Sequence, residues 1–368
     1  MQRLPKRKVE KLRAWDAADE YLLQSLSEHK ELVEGAKILL LNDHFGALAV
    51  ALHTYFPYSW SDSHLGRLAV EANYEVNGLV KTGPSFIEST QVPDIGQAFD
   101  IVVLKVPKTL ALLEYQLSTL QAHCSDKTLI LAGGMTRGIH NSTLNLFEKY
   151  LGPCTTSLAR KKARLIFCER ELSLSNKPVA TSSKYLLENT EFVISNQANV
   201  FSRESLDIGT RFFLAQLKQS DQALRIVDLG CGNGVVGLIA AKLNPNATIL
   251  FRDESYMALA SAEENFRSAY GNARQAEFCA ADCLGDIPPE SVDIILNNPP
   301  FHQNNAVGEF VAWQMFQESL LALKKGGELW VIGNRHLAYH SKLKKLFGRC
   351  DLLASNKKFV VLKATKAH

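Results

Sequence analysis

The chain reads Val227-Asp228-Leu229-Gly230-Cys231-Gly232-Asn233-Gly234 where a β-branched run ends and a helical stretch, 235–243, begins. Three glycines at alternate positions allow a sharp turn and a close approach of the backbone to a ligand, because no Cβ obstructs either. An acidic residue, Asp228, stands two positions before the first glycine. The segment therefore predicts the first strand, turn and helix of an open α/β sheet that binds a ligand at the turn.

Short β-branched runs alternate with helical stretches through the second half of the chain, the pattern of a parallel sheet with crossover helices. The predicted strands are 225–228, 248–252, 292–296, 327–332 and 359–362. The first half repeats this order. The matching segments are 38–47 with 226–235, 60–62 with 251–253, 99–103 with 292–296, 140–147 with 340–347 and 161–166 with 357–362. A repeat of this length indicates duplication of a whole domain.

The repeat predicts two domains, residues 1–180 and 190–368, joined by a polar stretch, and 368 residues are enough for both. We expect a cytoplasmic protein, because no apolar run reaches the roughly 20 residues that a membrane span needs. The seven cysteines include no Cys-x-x-Cys pair, so we expect reduced thiols and no metal. We also expect a monomer. With a net charge of only +3, binding of nucleic acid would require a local basic patch.

The acidic residue before the glycines resembles motif one of the class I methyltransferases, in which it and the glycines hold the amino-acid end of S-adenosylmethionine. A glycine-rich turn alone leaves a nicotinamide oxidoreductase open. Asp253 ends the second predicted strand and can accept from ribose hydroxyls. Asp282 can accept from the adenine amino group, or simply cap a loop or helix. The predicted cofactor-binding residues are Asp228, Gly230, Gly232, Gly234, Asp253, Asp282 and Asn298.

A second motif, Asn298-Pro299-Pro300-Phe301-His302, follows the fourth predicted strand, at the sheet edge where α/β proteins bind ligands. An exocyclic amine is a poor nucleophile because its lone pair is delocalised into the ring. If the Asn298 side-chain carbonyl and the Pro299 backbone carbonyl each accept an N–H, the lone pair can point at the sulfonium methyl. Phe301 can stack on a flipped base. We predict that Asn298, Pro299, Pro300 and Phe301 are catalytic, with an ordinary turn as the alternative, and regard His302 as a loop histidine.

Upstream of the glycine turn, Phe201, Ser202 and Arg203 precede the run Leu206-Asp207-Ile208-Gly209. We predict that the first three line the cofactor or base pocket, with packing between domains as the alternative.

These segments together resemble the bacterial ribosomal RNA guanine-N2 methyltransferases, whose duplicated methyltransferase domain is active only in its C-terminal copy. The resemblance covers nearly the whole chain and implies two tandem Rossmann-like α/β domains with S-adenosyl-L-methionine as cofactor. Matches to the large-subunit members at 14–23, 106–114 and 343–364 imply a single guanine of 23S ribosomal RNA as the substrate.

The resemblance also implies a role for the first half. Its residues Asn42, His44 and Lys105 stand where Gly230, Gly232 and Asn298 stand later. The N-terminal copy is therefore expected to bind no cofactor and to help hold RNA, with Lys105 and Lys108 contacting phosphates. A purely structural role is the alternative.

Three other functions remain open from the residues. Adenine-N6 and glutamine-amide methyltransferases use similar Asn-Pro-Pro-aromatic loops, although the duplicated first half argues against both. A non-catalytic RNA-binding ribosome-assembly factor could keep the fold without the activity, but the intact Asp228, glycines and Asn298 argue against it.

Overall fold

A computed structural model of the chain describes residues 1–6, 10–79, 83–174, 182–300 and 306–367. The chain forms two compact units, Met1–Thr181 and Ser182–His368. Each unit contains one seven-stranded sheet.

The first unit is built from seven strands and five helices within the described residues. The strands are β1 (Ile38–Leu41), β2 (Tyr58–Ser61), β3 (Ser85–Glu88), β4 (Phe99–Lys105), β5 (Cys124–Met135), β6 (Cys154–Thr156) and β7 (Ala163–Cys168). The helices are α1 (Ala17–Leu26), α2 (Ala47–Ala51), α3 (His64–Val76), α4 (Leu110–Leu120) and α5 (Asn141–Tyr150).

The second unit adds a hairpin, β8 (Ser182–Leu186) and β9 (Val193–Gln197), before its own seven-stranded sheet. The sheet strands are β10 (Arg225–Leu229), β11 (Thr248–Asp253), β12 (Ala276–Ala280), β13 (Val292–Asn297), β14 (Leu323–Asn334), β15 (Cys350–Ser355) and β16 (Phe359–Thr365). The helices are α6 (Ile208–Leu214), α7 (Val235–Leu243), α8 (Tyr256–Tyr270), α9 (Ala306–Ala322) and α10 (Tyr339–Phe347).

The two sheets have the same strand order. It is β3-β2-β1-β4-β5-β7-β6 in the first unit and β12-β11-β10-β13-β14-β16-β15 in the second. In each sheet the first five strands of this order run parallel to one another. The sixth strand is antiparallel to the fifth, and the seventh is antiparallel to the sixth. The predicted fold class, two tandem Rossmann-like α/β domains, is confirmed.

The second sheet is buried on both faces, because successive residues of one strand pack into different hydrophobic clusters. Ile249 and Phe251 belong to one buried cluster, and Leu250 between them belongs to another. Burial on both faces explains why the parallel strands are nearly continuous apolar runs in the sequence.

The register of the strands corrects one sequence match. Trp60 lies opposite Leu41, and the residue opposite Leu229 in the second sheet is Arg252. Trp60 is therefore equivalent to Arg252, one position away from the predicted match with Phe251. The match between Lys105 and Asn298 stands, because Leu104 and Asn297 are the strand residues paired with Leu41 and Leu229. The correction matters because it places Ser61 where the second unit has Asp253.

No helix in the described part of the chain is both long and apolar enough to cross a membrane. Within the same residues, no group of three or more His, Cys, Asp or Glu side chains is arranged to hold a metal ion.

Candidate active site

The glycine turn follows the end of β10 at the centre of the second sheet. The amides of Gly230 and Cys231 donate to the Arg252 carbonyl at 2.8 and 3.0 Å, which anchors the turn to β11. Gly232 and Gly234 have φ angles of +54° and +77°, in the left-handed region that favours glycine.

The two glycines differ in what surrounds them. A Cβ at Gly234 would lie 2.7 Å from the Ala262 Cβ, so this glycine allows helix packing. A Cβ at Gly232 would have no heavy atom of the described residues within 4 Å, so the turn faces open space there. Gly232 therefore borders the open side of the turn, and Gly234 its packed side.

Two carboxylates accept hydrogen bonds from backbone amides of the glycine turn and of the helix that follows it. Asp228 is 2% exposed, and its Oδ2 accepts from the Gly237 amide of α7 at 2.7 Å. Burial raises the pKa of Asp228 to about 8, and the nearby Asp253 adds to the shift. Asp253 accepts from the Gly232 amide at 2.9 Å and from the Ser255 amide at 2.9 Å. Asp228 thus fixes the start of the helix, while Asp253 fixes the glycine at the open side.

A network of amide side chains, which the sequence did not reveal, connects the hairpin to the turn. Asn233 donates to the Asn196 side-chain oxygen at 2.9 Å and to the Tyr185 hydroxyl at 3.2 Å. Asn196 in turn donates to the Arg203 carbonyl at 3.1 Å. The hairpin therefore couples the predicted pocket loop to the glycine turn.

The loop itself presents polar and aromatic groups to solvent. Phe201 is 72% exposed, and Ser202 has a φ of +57°. Arg203 is half-buried and forms no ion pair with any residue that the structure describes. The exposed Phe201 ring is accessible from solvent, and the role of all three residues stays a prediction.

Asn298, the central residue of the predicted catalytic loop, has a fixed side chain with one unused end. Its Nδ2 donates to the Thr210 Oγ1 at 3.0 Å. Its Oδ1 is buried and accepts no hydrogen bond from the described residues. A buried carbonyl without a donor costs about 1–3 kcal/mol, so the site retains an acceptor that an N–H from a ligand would satisfy.

The flanking residues place Asn298 beside the glycine turn. Asn297 is fully buried and donates to the Leu229 carbonyl at 2.9 Å, which joins the ends of β13 and β10. Pro299 is buried and Pro300 is exposed. Phe301 and His302 lie outside the described residues.

Asp282, the predicted adenine acceptor, follows β12 near the same edge. The Ala281 amide donates to the backbone carbonyl of Asp253 at 3.0 Å. Asp282 is therefore next to a residue bonded to Asp253, whose side chain holds the Gly232 amide. The Asp282 side chain accepts from Gln314 Nε2 at 3.3 Å, and Gln314 also donates to Glu318 at 2.8 Å. The structure thus brings the predicted cofactor residues to the carboxyl edge of one sheet.

The equivalent edge of the first unit is occupied by its own side chains. Asn42 donates to the Lys105 carbonyl at 2.9 Å and exchanges two hydrogen bonds with Gln116. Lys105 is 12% exposed, and its ammonium lies 2.7 Å from Asp19 and 3.8 Å from Asp16. The Asp19 carboxylate therefore pairs with the Lys105 ammonium group, which the sequence analysis assigned to an RNA phosphate. Lys108 is exposed.

The fold and the site define the class of the protein as a Rossmann-like methyltransferase. The family described as "Methyltransferase small domain" matches residues 191–363, and the family described as "RLMG N-terminal domain" matches residues 1–172. The chain is 49% identical to the ribosomal RNA large subunit methyltransferase G of Yersinia pestis (strain Pestoides F) over 98% of its own length and 90% of the relative's. The Yersinia enterocolitica protein of the same name shows the same identity and coverage.

The chain belongs to the ribosomal RNA large subunit methyltransferase G family. This confirms the resemblance drawn from the sequence. Among solved structures, the T. thermophilus 16S rRNA N2 G1207 methyltransferase in complex with AdoMet and guanosine matches with a TM-score of 0.77 at 20% identity. The match covers 95% of this chain and 92% of that one, so both share the tandem fold.

Proposed function

We propose that this chain transfers a methyl group from S-adenosyl-L-methionine to the exocyclic N2 of one guanine in 23S ribosomal RNA, in the cytoplasm. Its family name supports a large-subunit substrate. The structural relative, which was solved with AdoMet and guanosine, supports the cofactor and the base. The observation that carries the proposal is the buried, unsatisfied Oδ1 of Asn298 at the sheet edge.

The residues at the glycine turn fit S-adenosyl-L-methionine. Gly232 borders open space and Asp253 holds its amide, so the backbone can approach the amino-acid and ribose parts of the cofactor. Asp282 lies at the same edge as the proposed acceptor for the adenine amino group. When bound, the cofactor supplies an electrophilic methyl group on a sulfonium.

The chain's contribution to the reaction is orientation of the target amine. The Asn298 carbonyl accepts one N–H of the guanine amino group, and the Pro299 backbone carbonyl accepts the other. Two acceptors on one nitrogen favour a tetrahedral arrangement and direct its lone pair away from the ring. We assign stacking on the flipped base to Phe301. Phe201 and Arg203 then contact the RNA or the cofactor from the neighbouring loop.

The first unit is assigned to RNA binding or structural support. Asn42 stands at the position of Gly230 with its side chain bonded to Gln116, and Lys105 forms an ion pair with Asp19. Both features are consistent with a copy that binds no cofactor. The exposed Lys108 is the more available cation for a phosphate contact.

The experiment that tests the proposal supplies the purified chain with methyl-labelled S-adenosyl-L-methionine and ribosomal RNA from cells that lack the protein. We expect the label in N2-methylguanosine. Asn298→Ala should lower turnover by roughly 10²–10³-fold, the loss seen when one oriented hydrogen-bonding group is removed from an active site. Asn272→Ala is a matched control, because that asparagine is exposed after α8.

Other outcomes would overturn the proposal. Label in N6-methyladenosine or in protein would favour the alternative amine substrates. Binding of RNA without any methyl transfer would favour the assembly factor.

A further inference from the structure

We infer that Asp207 and Thr210 are positioning residues that fix the direction of the Asn298 amide, so that its carbonyl rather than its NH₂ group faces the target amine. The inference rests on the proposed function and adds a requirement to it. An asparagine side chain is nearly symmetric in shape, so a half-turn about its last bond would exchange the acceptor for a donor. A donor facing the amine would repel its N–H groups.

The direction follows from a count of protons. The Thr210 hydroxyl lies 3.4 Å from the Asp207 Oδ2, which also accepts the Thr210 amide at 2.9 Å. A carboxylate only accepts, so the single hydroxyl proton of Thr210 is directed to Asp207. The hydroxyl oxygen then offers only lone pairs to Asn298, 3.0 Å away, and only the NH₂ group can satisfy them. The carbonyl is left for the ligand.

The surroundings keep this chain of hydrogen bonds in place. Thr210 is 9% exposed, so water has little access to compete for its hydroxyl. At Gly209 a Cβ would lie 2.9 Å from the Asp207 Oδ2 and 3.2 Å from the Phe359 ring, so the segment is packed closely against the start of β16. Asp207 is also the N-cap of α6, which fixes its carboxylate at the first turn of the helix.

The first unit shows that the architecture brings these two positions together. Asp16 is the N-cap of α1, and Asp19 stands three residues later, as Thr210 does after Asp207. Helix α1 packs on β5 and β7, and α6 packs on the equivalent β14 and β16. Asp19 contacts Lys105, the counterpart of Asn298. The same geometric contact is therefore an ion pair in the first unit and an orienting hydrogen bond in the second.

The test measures steady-state methyl transfer by Thr210→Val, which keeps the side-chain shape but removes the hydroxyl, and by Thr210→Ser, which keeps the hydroxyl. We expect kcat of Thr210→Val to fall roughly 10-fold or more, below the loss for removing Asn298 itself. The KM for RNA and the Kd for S-adenosyl-L-methionine should stay within about 2-fold, since neither depends on the direction of the amide. Thr210→Ser should recover most of kcat.

A third variant covers the case in which Thr210→Val does not fold. Asp207→Ala removes the oxygen that accepts both the Thr210 amide and the Thr210 hydroxyl, so the hydroxyl proton is free to turn towards Asn298. We expect a lower kcat at unchanged cofactor affinity. Wild-type kcat in either Thr210→Val or Asp207→Ala would overturn the inference, as would an equal loss in Thr210→Ser. If the wild-type chain itself transfers no methyl to guanine, the proposed function fails and the inference fails with it.

Discussion

Gly232 and Gly234 adopt similar left-handed backbones for different reasons. At Gly234 the neighbouring helix excludes a side chain, whereas at Gly232 the described protein leaves the space free. The sequence pattern treats all the glycines of the turn alike. The structure distinguishes them: Gly234 is packed against a helix, whereas Gly232 has room beside it for a cofactor.

Gly232→Ala is expected to weaken cofactor binding more than it weakens the fold. The φ of +54° costs an alanine about 1–2 kcal/mol, and the new methyl group would occupy space assigned to the cofactor. Overpacking of about 1–3 kcal/mol corresponds to a Kd raised roughly 5- to 150-fold. Calorimetric titration with S-adenosyl-L-methionine measures it.

Gly78→Ala provides the control, because Gly78 has a φ of +70° with equally open surroundings in the other unit. Both variants should lose similar stability, and only Gly232→Ala should lose cofactor affinity. Equal affinity of the two variants for S-adenosyl-L-methionine would show that Gly232 does not contact the cofactor.

Individual site residues could be predicted where their chemistry is local. Asp253 and Asn298 are predicted from the sequence because one ends a strand and the other follows a strand at the expected ligand-binding edge. Thr210 and Asn196 could not be found in this way. Their contacts, with Asn298 and with Asn233, join residues 88 and 37 positions apart, and no spacing rule reports such pairs.

At the scale of elements, α1 is the clearest difference between the two units. It is ten residues long, begins with a capping box at Asp16, and buries Asp19 against Lys105. In the second unit the equivalent helix is α6, and no carboxylate enters the site from its N3 position. The first turn of this helix therefore contributes to whether the sheet edge is filled, together with Asn42 and Gln116 in the first unit.

Lys105→Ala is expected to destabilise the first unit strongly, because Asp19 is 1% exposed and would lose its partner. Breaking a buried ion pair in this way costs about 3–5 kcal/mol. The double variant Asp19→Thr with Lys105→Asn imports the neutral pair of the second unit and should recover most of that loss. Chemical denaturation of the full chain measures both. A stable Lys105→Ala with weakened RNA binding would instead show that Lys105 serves the RNA.

The register of β2 shows a limit of matching by residue type. Identity pairs Asp62 with Asp253, yet the strands place Ser61 there. The hydrophobic pattern identifies a strand but tolerates a shift of one residue when neighbouring residues are similar. Hydrogen bonds between strands are what fix the register, and these are not written in one strand alone.

At the scale of the whole molecule, two sheets share one strand order while only one carries the glycine turn and the Asn298 acceptor. The repeat in the sequence sufficed to predict the shared fold, since strand order follows from alternating elements. It did not supply β12, β15 or the hairpin of β8 and β9. The edge strands β12 and β15 contain no fully buried residue and so lack the continuous apolar run of the central strands, and the hairpin has no counterpart among the described residues of the first unit.

A basic rim formed by Arg335, His336, Lys357 and Lys358 lies near the proposed active site. These residues are exposed, and Arg335 is joined to the β15–β16 turn through its amide and the Lys358 carbonyl. The next residue, Phe359, packs on Gly209. A flanking phosphate of the RNA would meet the Arg335, Lys357 and Lys358 side chains when the target base enters the site.

Charge reversal at Lys357 and Lys358 is therefore expected to weaken RNA binding and to reduce its salt dependence. Two lost phosphate contacts lower the slope of log K against log salt by roughly 2. Reversal of Lys344 and Lys345, exposed neighbouring lysines in the last turn of α10, is the matched control, because α10 leads into β15 at the opposite edge of the sheet. Filter binding across a salt series measures the slopes. Equal slopes in both variants would show that the basic rim does not contact the RNA.

The measurement that tests the central claim most directly is nucleoside mass spectrometry of 23S and 16S ribosomal RNA, purified separately from cells that lack this chain. The cells are complemented with the wild type or with Asn298→Ala. We predict one additional N2-methylguanosine in 23S RNA with the wild type, none with Asn298→Ala, and no change in 16S RNA. The same nucleoside in 16S RNA, or its full recovery with Asn298→Ala, would contradict this prediction.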